Sequence, residues 1–242
     1  MQYSVKTHKG IVRSSNQDNC YVAVFDSDSC FGVVCDGMGG PNAGDVASEI
    51  AVKEIADRFT QGWKNGNSLE DAKQLLSKAL KTANLRILAH ASTDSAFEGM
   101  GTTVVAAVVI GNDVLVANIG DSRAYCVSDN ISQVSKDHSL VQELLDRGEI
   151  TGEQAACYPD KNVITRALGI GNHVEIDFYT LELNDSALLL CSDGLYNFVS
   201  EQALLQIIND NESDFTMTAS ALVAAANNNG GGDNVTAVII KR

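Results

Sequence analysis

The run FGVVCDGMGGPNAG, residues 31–44, begins as a buried strand and stops on a carboxylate, Asp36, inside a glycine-rich turn. Four more aspartates stand in the same relation to an apolar run. ALLLCSDGL reaches a second Asp-Gly pair at Asp193, VLVANIGDS ends near Asp121, and two Asp-Asn pairs, at Asp18 and Asp233, open QDNCYVAVF and GGGDNVTAVII. Taken singly, each is an ordinary turn or cap residue. Together they can do more, because in an antiparallel sheet the end of one strand lies beside the start of its neighbour. Acids that close some strands and open others can therefore gather on one edge. Two carboxylates ~4 Å apart repel by about 4 kcal/mol at an effective dielectric of 20. A gathered set must take up protons or recruit a cation. Oxygen-only ligands select a hard ion, Mg²⁺ or Mn²⁺, over zinc, which favours the His and Cys absent from this pattern. The four histidines (His8, His90, His138, His173) are scattered, show no H-E-x-x-H spacing and read as structural.

The elements that must position these acids are short β-rich runs: YSVKTH, CYVAVF, CFGVVCD, GTTVVAAVVI, DVLVANIGD, SRAYCVS, VEIDFYTLEL, ALLLCSD and NVTAVII. Connections as short as IGND and SDNI suit hairpins, hence antiparallel sheets. Helical periodicity marks two stripes, one through Ala47, Ile50, Ala51, Ile55 and Phe59, the other from Leu69 through Leu76 and Leu80 to Ile87. Ser68 with Asp71 predicts a cap for the second. Further helices are expected over Ser139 to Arg147, Ser200 to Asn209 and Thr216 to Asn227. Strands such as VVAAVVI need cover on both faces, which predicts an α/β (α+β) sandwich of two packed antiparallel sheets with helices outside.

Two prolines, evenly spread apolar runs and 242 residues predict one domain, 1–242, with a full core. The net charge of -14, from 31 acidic against 17 basic residues, argues against a nucleic-acid partner. Six cysteines lack a C-x-x-C pair and mostly sit in apolar runs, as reduced core residues do. The N-terminus lacks an apolar signal core, and no run approaches the ~18 apolar residues of a membrane span. The expectation is a cytoplasmic protein without membrane contact. A phosphate-cradling P-loop is excluded at GGPNAGD, where Asp45 stands in place of lysine, and DGMGG lacks the D-x-D of aspartyl-nucleophile phosphatases because position 38 is Met.

The ordered set GIVRSSNQDN, DGMGG, GTT, NIGDSRAY, DHS, ITRALG, CSDGL and GGDNVT, spanning residues 10–236, closely resembles the metal-dependent protein Ser/Thr phosphatases of the PPM (type 2C) family in its bacterial form. The resemblance implies a four-layer αββα sandwich with two core Mn²⁺ or Mg²⁺ ions at one end of the sheets. Position by position, it implies that Asp36 bridges both ions, that the Gly37 carbonyl ligates one, and that Asp193 and Asp233 hold the other. Asp18 would act through bound water, Asp121 with Asp193 would form a third, weaker metal site, and Arg13 would bind the substrate phosphate. Arg13, Asp18 and Asp36 are thus the implied catalytic residues, with Asn234 orienting a carboxylate or a water, or holding a turn. His138 and Arg166 fall in matching motifs and are assigned structural roles.

The physical logic stands beside the resemblance. Phosphate-monoester hydrolysis can demand accelerations of up to ~10²¹, because an anionic phosphate repels its nucleophile. Two ions about 3.5–4 Å apart lower the pKa of a shared water and offset charge on the phosphoryl oxygens, giving in-line attack by a bridging hydroxide. A planar guanidinium suits two phosphate oxygens. Met38 and Pro41 occupy places where many family members carry His, so a histidine general acid is excluded at both. Residues 147–163 lie where the family carries a variable flap, and such loops commonly contribute to substrate choice. The expected partners are phosphorylated proteins and the Ser/Thr kinases that modify them, met by a monomer in a signalling role. Two alternatives remain at this point: a catalytically silent phosphoprotein-binding module of the same fold, and a hydrolase of small phosphoesters.

Overall fold

A computed structural model describes residues 1–39, 43–160 and 162–242. Its strands are β1 (Gln2–His8), β2 (Asp18–Val24), β3 (Ser29–Met38), β4 (Gly101–Thr102), β5 (Val104–Ile110), β6 (Asp113–Ile119), β7 (Arg123–Val127), β8 (Ile131–Gln133), β9 (Asp177–Glu182), β10 (Ala187–Cys191) and β11 (Val235–Lys241). The helices are α1 (Gly44–Gly62), α2 (Leu69–Ala91), α3 (Leu140–Asp146), α4 (Gly152–Ala156), α5 (Asp193–Tyr196), α6 (Glu201–Asp210) and α7 (Thr218–Asn228). One sheet runs β2-β3-β5-β6-β9 with β4 attached to β3; the other runs β1-β11-β10-β7-β8. Every pairing in both is antiparallel.

Alternation along the strands builds the layers. In β3, Val34 faces the other sheet, where it joins Val105, Leu188, Leu190 and Val238, while Val33 faces α1 and α2. Ala47, Ile55 and Phe59 of α1 and Leu76, Leu80 and Ile87 of α2 cover that outer face. Leu204 of α6 and Leu222 and Ala226 of α7 cover Leu189 and Ile239 on the far side. The result is an αββα sandwich with three apolar interfaces. Each fully buried Leu, Ile or Val contributes about 1.5–3 kcal/mol, so all three layers hold the sheet ends in place. Ser68 and Asp71 close the capping box expected at the start of α2. No helix among the described residues is long and apolar enough to cross a membrane.

The departures from expectation have local causes. GTTVVAAVVI breaks into β4 and β5 at Thr103, whose N–H donates to the Asp36 carbonyl at 2.9 Å and whose hydroxyl accepts the Asp36 N–H at 3.0 Å. VEIDFYTLEL is a strand only over Asp177–Glu182, and the helix predicted from Thr216 starts at Thr218. Asp193 does not sit in a simple turn but opens α5, with Ser192 before it. Strand β8 and helix α4 have no counterpart in the sequence reading, although Thr151 and Gln154 form a capping box for α4. Pro41 and Lys161 lie outside the described residues.

Candidate active site

The five aspartates meet at one end of the sandwich, and they reach it from both sheets. Asp18 opens β2 and lies directly opposite Asp36 in the β2–β3 register. Asp121 follows β6, Asp193 follows β10, and Asp233 precedes β11. Asp36, Gly37, Asp121, Asp193, Asp233 and Arg13 line one cleft of about 490 Å³. Asp18 lies beneath, only 6% exposed. Its Oδ2 accepts from the Ser192 hydroxyl at 2.6 Å and the Thr236 hydroxyl at 2.7 Å, while its Oδ1 is buried with no partner.

The electrostatics follow from this crowding. Burial pushes the Asp18 carboxyl up to about 7, with the Asp193 and Asp233 charges adding to the rise. Asp36 is raised well above the carboxylate range by burial, then by Asp18, Asp193, Asp121 and Asp233 in turn. Burial and Asp193 lift Asp121 to about 7, and burial and Asp233 lift Asp193 to about 6. Basic relief comes from two arginines: Arg13, whose Nη2 donates to Asp233 Oδ2 at 2.8 Å from a half-exposed side chain, and Arg123, whose charge opposes the rise at Asp121. Among the described residues, no three His, Cys, Asp or Glu side chains are yet drawn into a closed cage. The donor set nonetheless fits a pair of hard cations. It is all oxygen, it repels itself, and it includes a buried carboxylate oxygen with no donor.

Neighbouring polar groups fix the segments that carry these acids. The Asn234 backbone N–H donates to Asp233 Oδ1 at 2.8 Å, while its side-chain Oδ1 accepts the Gln17 N–H at 2.7 Å and its Nδ2 donates to the carbonyls of Lys9 and Ser15 at 2.9 and 2.8 Å. Its side chain therefore staples the loop bearing Arg13 and Asp18. His138 is spent structurally. Its Nδ1 accepts the Gly120 N–H at 3.0 Å, which places its proton on Nε2, facing Asp177 at 3.1 Å. Arg166 also binds Asp177, at 3.0 Å. Arg123 forks onto Asp137, and the Tyr196 ring lies 3.6 Å from its guanidinium carbon. Tyr196 in turn donates to the Asp121 carbonyl at 3.0 Å.

Sequence reasoning missed Ser192, Thr236 and Thr103 as supports, although all three lie inside the motifs CSDGL, GGDNVT and GTT. Ser192 stands at the N-cap of α5 yet makes no cap bond, because its hydroxyl goes to Asp18. Met38 lines the cleft where an imidazole was excluded. The end of the 147–163 segment reaches the same cleft through Asn162 and Val163.

An αββα sandwich whose sheet ends converge acids and one arginine on a cleft defines a metal-dependent phosphatase class. A family model described as Protein phosphatase 2C matches residues 8–227, and the chain belongs to that family. It is 39% identical to the serine/threonine phosphatase stp of Listeria welshimeri over 100% of this chain and 96% of that protein. The S. agalactiae serine/threonine phosphatase structure superposes with a TM-score of 0.91 at 32% identity, covering 100% of this chain and 99% of that one. The catalytic domain of the phosphatase PstP, solved in complex with two manganese ions, gives 0.82 at 33% identity over 98% and 96% of the two chains.

Proposed function

We propose that this chain is a protein serine/threonine phosphatase that hydrolyses phosphoserine and phosphothreonine monoesters with two divalent ions. The observation that carries the reading is the cleft itself, where acids from both sheets and one half-exposed guanidinium line a single volume. Asp36, the Gly37 carbonyl, Asp193 and Asp233 would hold two Mn²⁺ or Mg²⁺ ions, with Asp121 and Asp193 offering a third, weaker site. Such ions, when bound, offset phosphoryl charge and make water acidic enough to ionise near neutral pH.

The chain's own residues do the rest. Asp18, its Oδ2 fixed by Ser192 and Thr236, presents Oδ1 as a buried acceptor beneath Asp36. That oxygen can hold or orient a water proton. Arg13 is 53% exposed at its side chain, so it can leave Asp233 and fork onto two phosphate oxygens. His138 cannot protonate the leaving alkoxide, because both ring nitrogens are engaged. The 147–163 segment borders the cleft and would bias which phosphorylated segment enters. The natural substrates would be phosphorylated proteins, in opposition to Ser/Thr kinases, handled by a monomeric cytoplasmic enzyme made of one domain over 1–242.

The test is hydrolysis of p-nitrophenyl phosphate and a phosphothreonine peptide with Mn²⁺, with EDTA, and with Asp193→Ala. The reading predicts turnover of both with Mn²⁺ and loss of both under the other conditions. Aryl-phosphate turnover without peptide turnover would assign a small-ester hydrolase instead. Tight phosphopeptide binding without any turnover would assign a silent binding module.

A further inference from the structure

Asn84 is an anomaly on the apolar stripe of α2. It lies between Leu80 and Ile87 and is 1% exposed, yet Asn is a poor former of helix interiors and an amide is costly to bury unless it is fully hydrogen-bonded. Its bonds account for the position. Oδ1 accepts the Gly169 N–H at 2.7 Å and Nδ2 donates to the Gly171 carbonyl at 2.8 Å, so one side chain clamps residues 169–171 onto the helix. Gly169 has φ of +87°, and a Cβ there would lie 2.4 Å from Ile87 Cγ2, so the loop is seated flush against α2.

The clamp continues toward the cleft. Leu168, the next residue back, exchanges two backbone hydrogen bonds with Thr102, at 2.9 and 3.0 Å. Thr102 pairs with Gly37 across β3–β4, and its hydroxyl donates to the Asp36 carbonyl at 2.9 Å. Upstream, the same segment carries Asn162, Val163 and Ile164 along the cleft wall. Short hydrogen bonds, linked through the Leu168–Gly169 peptide bond, thus join an amide on α2 to the Asp36 carbonyl and to the strand partner of Gly37.

We propose that Asn84 is a positioning residue for the catalytic cleft, acting through residues 168–171 and Thr102 to fix the Asp36–Gly37 backbone. The proposal rests on the phosphatase reading for its turnover arm, while its ion-binding arm is independent of turnover. A helix-core amide with only a folding role would lower stability and nothing else. A positioning amide lowers affinity and rate in molecules that remain folded, on the order of 10–100-fold for groups that orient ligands.

The experiment compares Asn84→Ala and Asn84→Asp with Leu76→Ala, a core truncation two turns away on the same helix. For each, thermal unfolding, calorimetric Mn²⁺ binding to the metal-free protein, and kcat and KM for p-nitrophenyl phosphate are measured below the unfolding range. All three variants should unfold at lower temperature. Only the Asn84 variants should bind Mn²⁺ about tenfold or more weakly and lose kcat by a similar factor, with a smaller change in KM. Asn84→Asp keeps the acceptor for Gly169 but sets an oxygen against the Gly171 carbonyl, so it tests the clamp at nearly constant shape even where Asn84→Ala fails to fold. Wild-type Mn²⁺ affinity and kcat in a folded Asn84 variant, or equal losses in Leu76→Ala, would overturn the proposal. A wild-type protein that binds Mn²⁺ but hydrolyses nothing would refute the phosphatase reading and leave the affinity comparison to decide on Asn84.

Discussion

Two polar clusters stand side by side at the same end of the sandwich, and they differ in charge balance. In one, Asp18, Asp36, Asp121, Asp193 and Asp233 have one ion pair between them among the described residues, Arg13 with Asp233, and burial with mutual repulsion raises the first four. In the other, each arginine meets its complement, Arg123 with Asp137 and Arg166 with Asp177 and Glu175, and His138 hydrogen-bonds Asp177. There Asp177 is lowered despite partial burial, because His138 and Arg166 oppose the desolvation. The balanced cluster is complete within the chain. The unbalanced one is held together by the rest of the fold and needs something from outside, which separates a scaffold from a site.

The largest effect should come from the unbalanced cluster. Asp36→Asn is expected to lower kcat/KM on the order of 10³-fold, as losing several kcal/mol of transition-state stabilisation implies, while raising the unfolding temperature of the metal-free protein. A variant that loses activity and metal-free stability together would erase the contrast. In the balanced cluster the signs reverse. Arg123→Met leaves Asp137, largely buried, without its fork and should cost about 3–5 kcal/mol in denaturant unfolding.

Stability against pH sharpens the contrast. Asp18 and Asp121 titrate near 7 and Asp193 near 6 in the folded chain, above the ordinary 3.8, so between those values the folded state binds more protons than the unfolded one. Metal-free protein should therefore be most stable near pH 4 and weaken as the pH rises through about 7. Saturating Mn²⁺ should remove that slope. Unfolding curves at fixed ionic strength check both. A smaller effect is expected from Arg13→Lys, which keeps the charge and loses the fork. KM for p-nitrophenyl phosphate should rise about tenfold with kcat less affected. The smallest effect belongs to His138→Asn. It should lower the unfolding temperature slightly and leave any basic limb of the pH–rate profile in place, because His138 serves Gly120 and Asp177 rather than the leaving group.

Much of the site was legible because strand ends announce themselves. An apolar run that stops on Asp36 or starts after Asp233 fixes where the carboxylate sits along the strand, and antiparallel pairing brings such ends together. The helical stripes of α1 and α2 and the Ser68–Asp71 cap were equally local signals. What was hidden depends on partners distant in sequence. Ser192 looks like a helix cap until Asp18, 174 residues away, takes its hydroxyl. Thr236 reaches Asp18 across 218 positions, and Asn234 reaches Lys9 across 225. Asn84 gives a weak local hint, a polar residue on an apolar stripe, but only the fold shows which loop it grips. Helix α4 was missed because its capping box precedes too short a run to show periodicity.

That acids from two sheets act as one ion-binding unit is tested most directly by anomalous scattering. Crystals of the metal-free protein soaked in Mn²⁺ and measured at the manganese absorption edge should show two strong peaks in the cleft among Asp36, Gly37, Asp193 and Asp233. Peaks confined to other surfaces, or none in the cleft at a concentration that saturates activity, would contradict it.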